Sequence, residues 1–111
     1  MAKTIFVMEG GTVDYTPSSD VASGDVVVQT DLVGVARMPI AANTLGSLAI
    51  CGIFDFPKAT GTSTGIAVGT KVYWDTTNKV VTATVGSNKY LGKTTKVAAD
   101  ADATVRVQLT P

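Results

Sequence analysis

Gly69-Thr70-Lys71-Val72-Tyr73-Trp74-Asp75 decides the fold, because it echoes Ser23-Gly24-Asp25-Val26-Val27-Val28 and leads through Thr76-Thr77-Asn78-Lys79 into another β-rich run. A glycine turn opening onto β-branched and aromatic residues reads as the start of a strand, and the polar tetrad reads as a hairpin connection. The echo extends outward. Gly24 and Val27 align with Gly69 and Val72 at an offset of 45, and Val33-Gly34 aligns with Leu91-Gly92 at 58. The difference of 13 is the hairpin from Trp74 to Gly86, which only the second half carries. Ala41-Ala42-Asn43 then aligns with Ala98-Ala99-Asp100, and Ser47-Leu48-Ala49-Ile50 with Thr104-Val105-Arg106-Val107, both at 57. Each half reads as glycine turn, strand, apolar-Gly strand, Ala-Ala-Asx loop and strand, which is the pattern of an internal duplication.

Period-two alternation recurs in Thr4 to Met8, Asp25 to Gln29, Lys79 to Val85 and Ala103 to Leu109, with turn residues at Gly10-Gly11, Pro17 to Asp20, Asn43-Thr44 and Gly86 to Asn88. Many short strands with polar punctuation predict an all-β fold, a compact barrel or sandwich of antiparallel strands. A chain of 111 residues is expected to form one domain, residues 1–111. Little or no helix is expected, since β-branched residues dominate. The best helical candidate, Ala98 to Ala103, carries two Asp just before a strand and reads as an exposed loop or a single turn. Gly61-Thr62-Ser63-Thr64-Gly65, small and uncharged, reads as a mobile surface tip in preference to a segment packed at an oligomer axis.

Charged residues make up 16% of the chain, well below the roughly 25% of an average soluble domain, and a thinly charged surface favours contact with other protein. Net charge is zero, yet Met1 to Asp55 holds six acids and two bases while Phe56 to Pro111 holds three acids and seven bases. Either the fold interleaves the halves and averages the charge, or the molecule is polarised in a way that orients neighbours. No apolar run approaches the ~20 residues of a membrane-spanning helix or the form of a signal peptide.

Histidine is absent, which removes the usual general base and the commonest metal ligand. Cys51, the only cysteine, has no His partner and, between Ile50 and Gly52, reads as a small buried hydrophobe. Asp100 and Asp102 lack the further acids and the glycine of a calcium loop. Asp14, Asp20, Asp25 and Asp31 sit in turns and at strand ends, where Asp caps its own backbone. Gly86 to Thr94 nearly spells a phosphate-binding loop, but five residues separate its glycines where the motif needs four, and a strand rather than a helix follows. No catalytic, cofactor-binding or metal-binding residue is assigned, and no cofactor is expected. Lys71, Lys79, Lys89, Lys93 and Lys96 lie near Tyr73, Trp74 and Tyr90, a weak version of a nucleic-acid surface that the neutral overall charge argues against. On a regular strand Tyr73 and Trp74 face opposite ways, so one belongs to the core and the other to a partner contact.

The Met-Ala-Lys start, Ser23-Gly24-Asp25-Val26-Val27, Val33-Gly34-Val35-Ala36, Gly52-Ile53-Phe54-Asp55-Phe56-Pro57-Lys58, Val68 to Asp75, Leu91-Gly92 and the closing Ala101 to Leu109 together resemble the small head-decoration, or capsid cement, proteins of tailed bacteriophages. The resemblance runs over nearly the whole chain. It implies a β-rich structural virion protein rather than an enzyme, made in the bacterial host cytoplasm. Such a protein is added to the outer surface of the expanded head, where it bridges major capsid protein subunits, often as trimers at threefold or quasi-threefold positions. Some members carry a label as RecA-class recombinases, which the missing phosphate loop contradicts here. The alternatives are a nucleic-acid-binding accessory protein of phage recombination and a low-copy head or tail component. The N-terminal arm, residues 1–10, is expected either to dock on a partner's sheet edge through Ile5, Phe6 and Val7 or to form the first strand of the domain's own sheet. With Tyr73 and Trp74 these are the expected partner-binding residues.

Overall fold

The computed structural model describes residues 3–6 and 10–110. Among them are nine strands and no helix: β1 (Thr12–Tyr15), β2 (Val26–Gln29), β3 (Leu32–Val35), β4 (Gly46–Ala49), β5 (Gly52–Pro57), β6 (Lys71–Asp75), β7 (Val80–Thr82), β8 (Lys89–Thr94) and β9 (Thr104–Leu109). They form two antiparallel sheets, in the order β1-β4-β3-β2 and β5-β9-β8-β6-β7. The first sheet uses only residues before Cys51 and the second only residues after it.

Setting β1, β2, β3 and β4 beside β5, β6, β8 and β9 superimposes the two strand orders, with β7 as the extra strand of the second. The connecting hydrogen bonds repeat as well. The N–H of Gly24 donates to the Ala36 carbonyl at 2.6 Å, and that of Gly69 to Thr94 at 2.9 Å. Val21 bridges Ile40 in the first half as Ile66 bridges Ala98 in the second. These contacts keep the offsets of 45 and 58 read from the sequence and carry 58 into the Ala-Ala-Asx loop, where the Thr44 N–H donates to Ala41 as that of Asp102 donates to Ala99, so that Ala42 rather than Asn43 matches Asp100. The last strand corrects the third offset: Val35 pairs with Ala49 where Lys93 pairs with Gln108, so β4 and β9 align two residues further along than the sequence match sets them. A two-residue slip leaves every side chain on its original face, which is why period-two alternation does not reveal it.

The second sheet curls until its edge strands meet at a parallel bridge between Lys58 and Val81. Inside it lies the main core: Phe56, Val72, Trp74, Val81, Leu91, Val105, Val107 and Leu109. Each such side chain contributes about 1.5–3 kcal/mol on burial. Val33 and Val35 of β3 join this core and Val26 and Val28 of β2 pack against it, so one face of the first sheet lies on the second. The other face closes a smaller cluster of Ala36, Ile40 and Leu48, with Val13, Tyr15, Val21 and Val27 around it. Alternation along β2 therefore serves both clusters.

The repeated apolar-Gly pair has a packing reason. A Cβ on Gly92 would run into the Gln108 carbonyl, and one on Gly34 would stand 2.9 Å from the Leu48 Cβ. In each half the third strand of the repeat passes too close to the fourth for any side chain. The region Ala98 to Ala103 forms a turn, in which the N–H of Ala99 donates to Asp102 at 2.8 Å. The Gly61 to Gly65 loop, expected to be a mobile tip, is pinned by Asp100, whose carbonyl accepts from Gly61 and Thr64 and whose carboxylate accepts from Ser63 and Gly65.

Candidate functional site

Strand β6 separates the two aromatics as its alternation requires. Trp74 is 5% exposed and its ring lies 6.2 Å from that of Phe56, inside the main core. Tyr73 faces outward, half-buried, and meets Tyr90 of β8 edge-on at 5.9 Å. Lys71 and Lys93, paired across the same two strands, are exposed beside them. The outer face of β6 and β8 is thus a tyrosine pair flanked by ammonium groups, fit to lie against an apolar surface with an acidic border. Tyr90, grouped with Tyr73 and Trp74 near the lysines in the sequence, packs directly on Tyr73, a pairing that sequence reading missed. It becomes visible only when the hairpin insertion is removed and β6 is placed beside β8.

The described part of the arm, Lys3 to Phe6, belongs to no strand, and Ile5 and Phe6 are 80% and 77% exposed. Val7 lies outside the described residues. Two more apolar side chains stand out on the first half, Met38 and Leu45, at 73% and 67% exposure. Met38 lines a cleft of about 540 Å³ with Arg37, Pro39, Thr12 and Ser47. Nothing in the periodicity marked this cleft, because it is made by a loop, Arg37 to Ile40, standing over β1 and β4.

Lys58 is 5% exposed. Its ammonium donates to the Ala59 carbonyl at 2.7 Å and to Thr64 Oγ1 at 3.3 Å, and neither ion pair among the described residues includes it. Those pairs are Lys89 with Asp31, which ties the two halves at 2.9 Å, and Arg106 with Asp55. In the second, Nε and Nη2 of Arg106 donate to the two carboxylate oxygens at 2.9 and 3.2 Å, and this hydrogen bonding holds the Asp55 carboxyl below its ordinary value and raises Arg106. Asp75 is also lowered, first by the Asn78 side-chain amide and then by backbone N–H groups of the turn it caps.

The buried placement expected for Cys51 is wrong. Its thiol is exposed, because the chain crosses from one sheet to the other at Cys51-Gly52, where Gly52 has φ +120°, and position 51 falls in neither ladder. Asp25 does cap its own turn, accepting the N–H of Ala22, whereas Asp20 accepts that of Ala42 and so ties two loops far apart in the chain. Among the described residues no group of three His, Cys, Asp or Glu side chains converges on a metal position, and no helix is long and apolar enough to cross a membrane.

Because each sheet comes from one half of the chain, the charges do not average. Asp14, Asp20, Asp25 and Asp31 stay with the first sheet, and Lys71, Lys79, Lys89, Lys93 and Lys96 with the second. Of the described N-terminal acids only Asp55 crosses, and Arg106 neutralises it.

Residues 7–109 match the family described as phage cement protein. The chain belongs to that family. No curated protein and no solved structure matches it. Membership makes it a structural capsid protein of a bacteriophage, decorating the virion, rather than a member of an enzyme family. In a cement protein the working parts are surfaces, and the described residues expose apolar side chains at the arm, the Met38 cleft and the tyrosine pair, with Ile53, Val68, Val85 and Val97 exposed singly elsewhere.

Proposed function

We propose that this cement protein binds the outer surface of the expanded phage head and bridges neighbouring major capsid protein subunits, standing as trimers at threefold and quasi-threefold positions. The observation that carries the reading is the family match over residues 7–109 on a molecule whose apolar exposure is divided among separate surfaces. A protein that touches several shell subunits through modest sites raises the work of separating any two, since each further contact is intramolecular once the first has formed. Tyr73, with Tyr90, Lys71 and Lys93 around it, is the contact for the shell. Trp74 backs it from the core side. Ile5, Phe6 and Val7 supply a second attachment, to a sheet edge on a neighbouring molecule.

The test is quantitative mass spectrometry of purified particles, read as the copy ratio of this protein to the major capsid protein. A ratio near one is the expected result. A handful of copies per particle would make the chain a head-completion or tail component, and absence from the particle would refute the proposal.

A further inference from the structure

The duplication shows what is missing from the first half. In the second half β7 lies beside β6, with Tyr73 paired to Thr82, and completes the curl of the sheet. In the first half the chain turns back at Thr30-Asp31 straight into β3, so among the described residues β2, the counterpart of β6, has no strand on its other side. The Ala36 N–H donates to Asp25 at 2.9 Å, and pairing alternates along an antiparallel ladder. The groups facing β3 are therefore those of Asp25, Val27 and Gln29. The N–H and C=O of Val26 and Val28 point away from the sheet.

Natural sheets guard such edges with Lys, Pro or bulges. The other free edge of this sheet, β1, carries Asp14 and stops before Pro17. By contrast β2 reads Val-Val-Val-Gln, three half-buried valines with no guard. A segment of matching length and character exists in the same chain: Thr4-Ile5-Phe6, preceded by Lys3, with Ile5 and Phe6 exposed and joined to no strand. The described part of its own arm, Lys3 to Phe6, does not pair with the edge. Asp25 and Asp31 stand at the two ends of β2, on the acidic half of the molecule; Asp31 meets Lys89 through Oδ1 but its side chain is 85% exposed, so a carboxylate is open to Lys3 at either end.

We infer that the β2 edge receives the N-terminal arm of a second copy, which adds as a strand where β7 adds in the second half. This deepens the reading that copies stand side by side on the shell, and names the contact between them. Main-chain hydrogen bonds from Val26 and Val28 supply the affinity, and the flanking acids set which segment is accepted.

The test uses two populations in a Cys51→Ser background, one with Thr4→Cys and one with Gln29→Cys, mixed and treated with a short bis-maleimide. It is run on decorated shells and, in parallel, in concentrated free solution. The expected result is a cross-linked heterodimer that disappears when Val28→Pro is added to the Gln29→Cys copy or Phe6→Asp to the Thr4→Cys copy. The second change lies on exposed chain and leaves the fold intact, so it decides the matter if Val28→Pro misfolds. Cross-linking in solution without shell occupancy would keep this contact and discard the shell reading. A link from the Thr4→Cys thiol to a shell protein, or no link under either condition, would overturn the inference.

Discussion

The backbone N–H of Gly65 donates to Oδ1 of Asp100 at 2.6 Å, and in the first half the same two positions are joined with roles exchanged, Ala42 donating to Asp20 at 2.8 Å. Each half thus stitches the loop before its glycine turn to the loop before its last strand, but the carboxylate comes from opposite sides. Glycine at 65 is part of the arrangement, since a Cβ there would stand 2.8 Å from the Asp100 oxygen. Asp100→Ala and Gly65→Ala are each expected to destabilise by about 0.5–1.5 kcal/mol, the worth of an ordinary exposed hydrogen bond. They should also speed amide exchange at Ser63 and Gly65. Unchanged exchange in both variants would contradict the role assigned to Asp100.

The pair Asp55 and Arg106 predicts a modest acid limb. The folded carboxyl is held below its ordinary value of 3.8, chiefly by the Arg106 hydrogen bond, so its contribution is present above the unfolded value and is lost as pH falls through the folded one. Both side chains are about half exposed, at 49% and 48%, and solvent screening keeps the effect under about 1 kcal/mol. Thermal melts below pH 4 should fall less steeply for Arg106→Gln than for the parent. Parallel curves would rule the pair out as a source of acid sensitivity.

Trp74 and Tyr73 are adjacent on β6 but answer to different measurements. Trp74→Ala opens a cavity against Phe56 and is expected to cost about 3–5 kcal/mol in urea denaturation. Tyr73→Ala is expected to leave the midpoint much closer to the parent while weakening attachment to shells, read by co-sedimentation. The reverse pattern would relocate the contact.

Cys51 is expected to react in the folded protein with one equivalent of a thiol reagent, without denaturant, and the labelled chain should keep its far-ultraviolet circular dichroism. Labelling that requires unfolding would return Cys51 to the interior.

What the residue pattern made legible was the repeat. Gly24 and Gly69 are required by φ of +91° and +80°, and Gly34 and Gly92 by the close approach of the neighbouring strand, and such requirements survive in a single sequence as identities at fixed spacing. What it hid was everything that depends on a neighbour from another part of the chain. Ile50 and Gly52 look like interior flanks for Cys51 until the crossing between sheets is seen. Lys58 reads as an ordinary surface lysine, and only the bridge to Val81 shows that its position closes the second sheet and is covered. Tyr90 is separated from Tyr73 by the hairpin that breaks the repeat. At the site, alternation rightly set Tyr73 and Trp74 on opposite faces, but could not say which face was inside.

The packing of β2 and β3 against the second half also sets a timetable for synthesis. Val26, Val28, Val33 and Val35 leave the ribosome well before the strands that cover them, which end with β9. At translation rates of about 5–20 residues per second, that valine face waits several seconds for its cover. An arrested chain ending near Gly65 is expected to be digested by protease and held by chaperones, and one that has fully emerged is expected to resist, so that each copy becomes competent to join a shell only after its last strand is made.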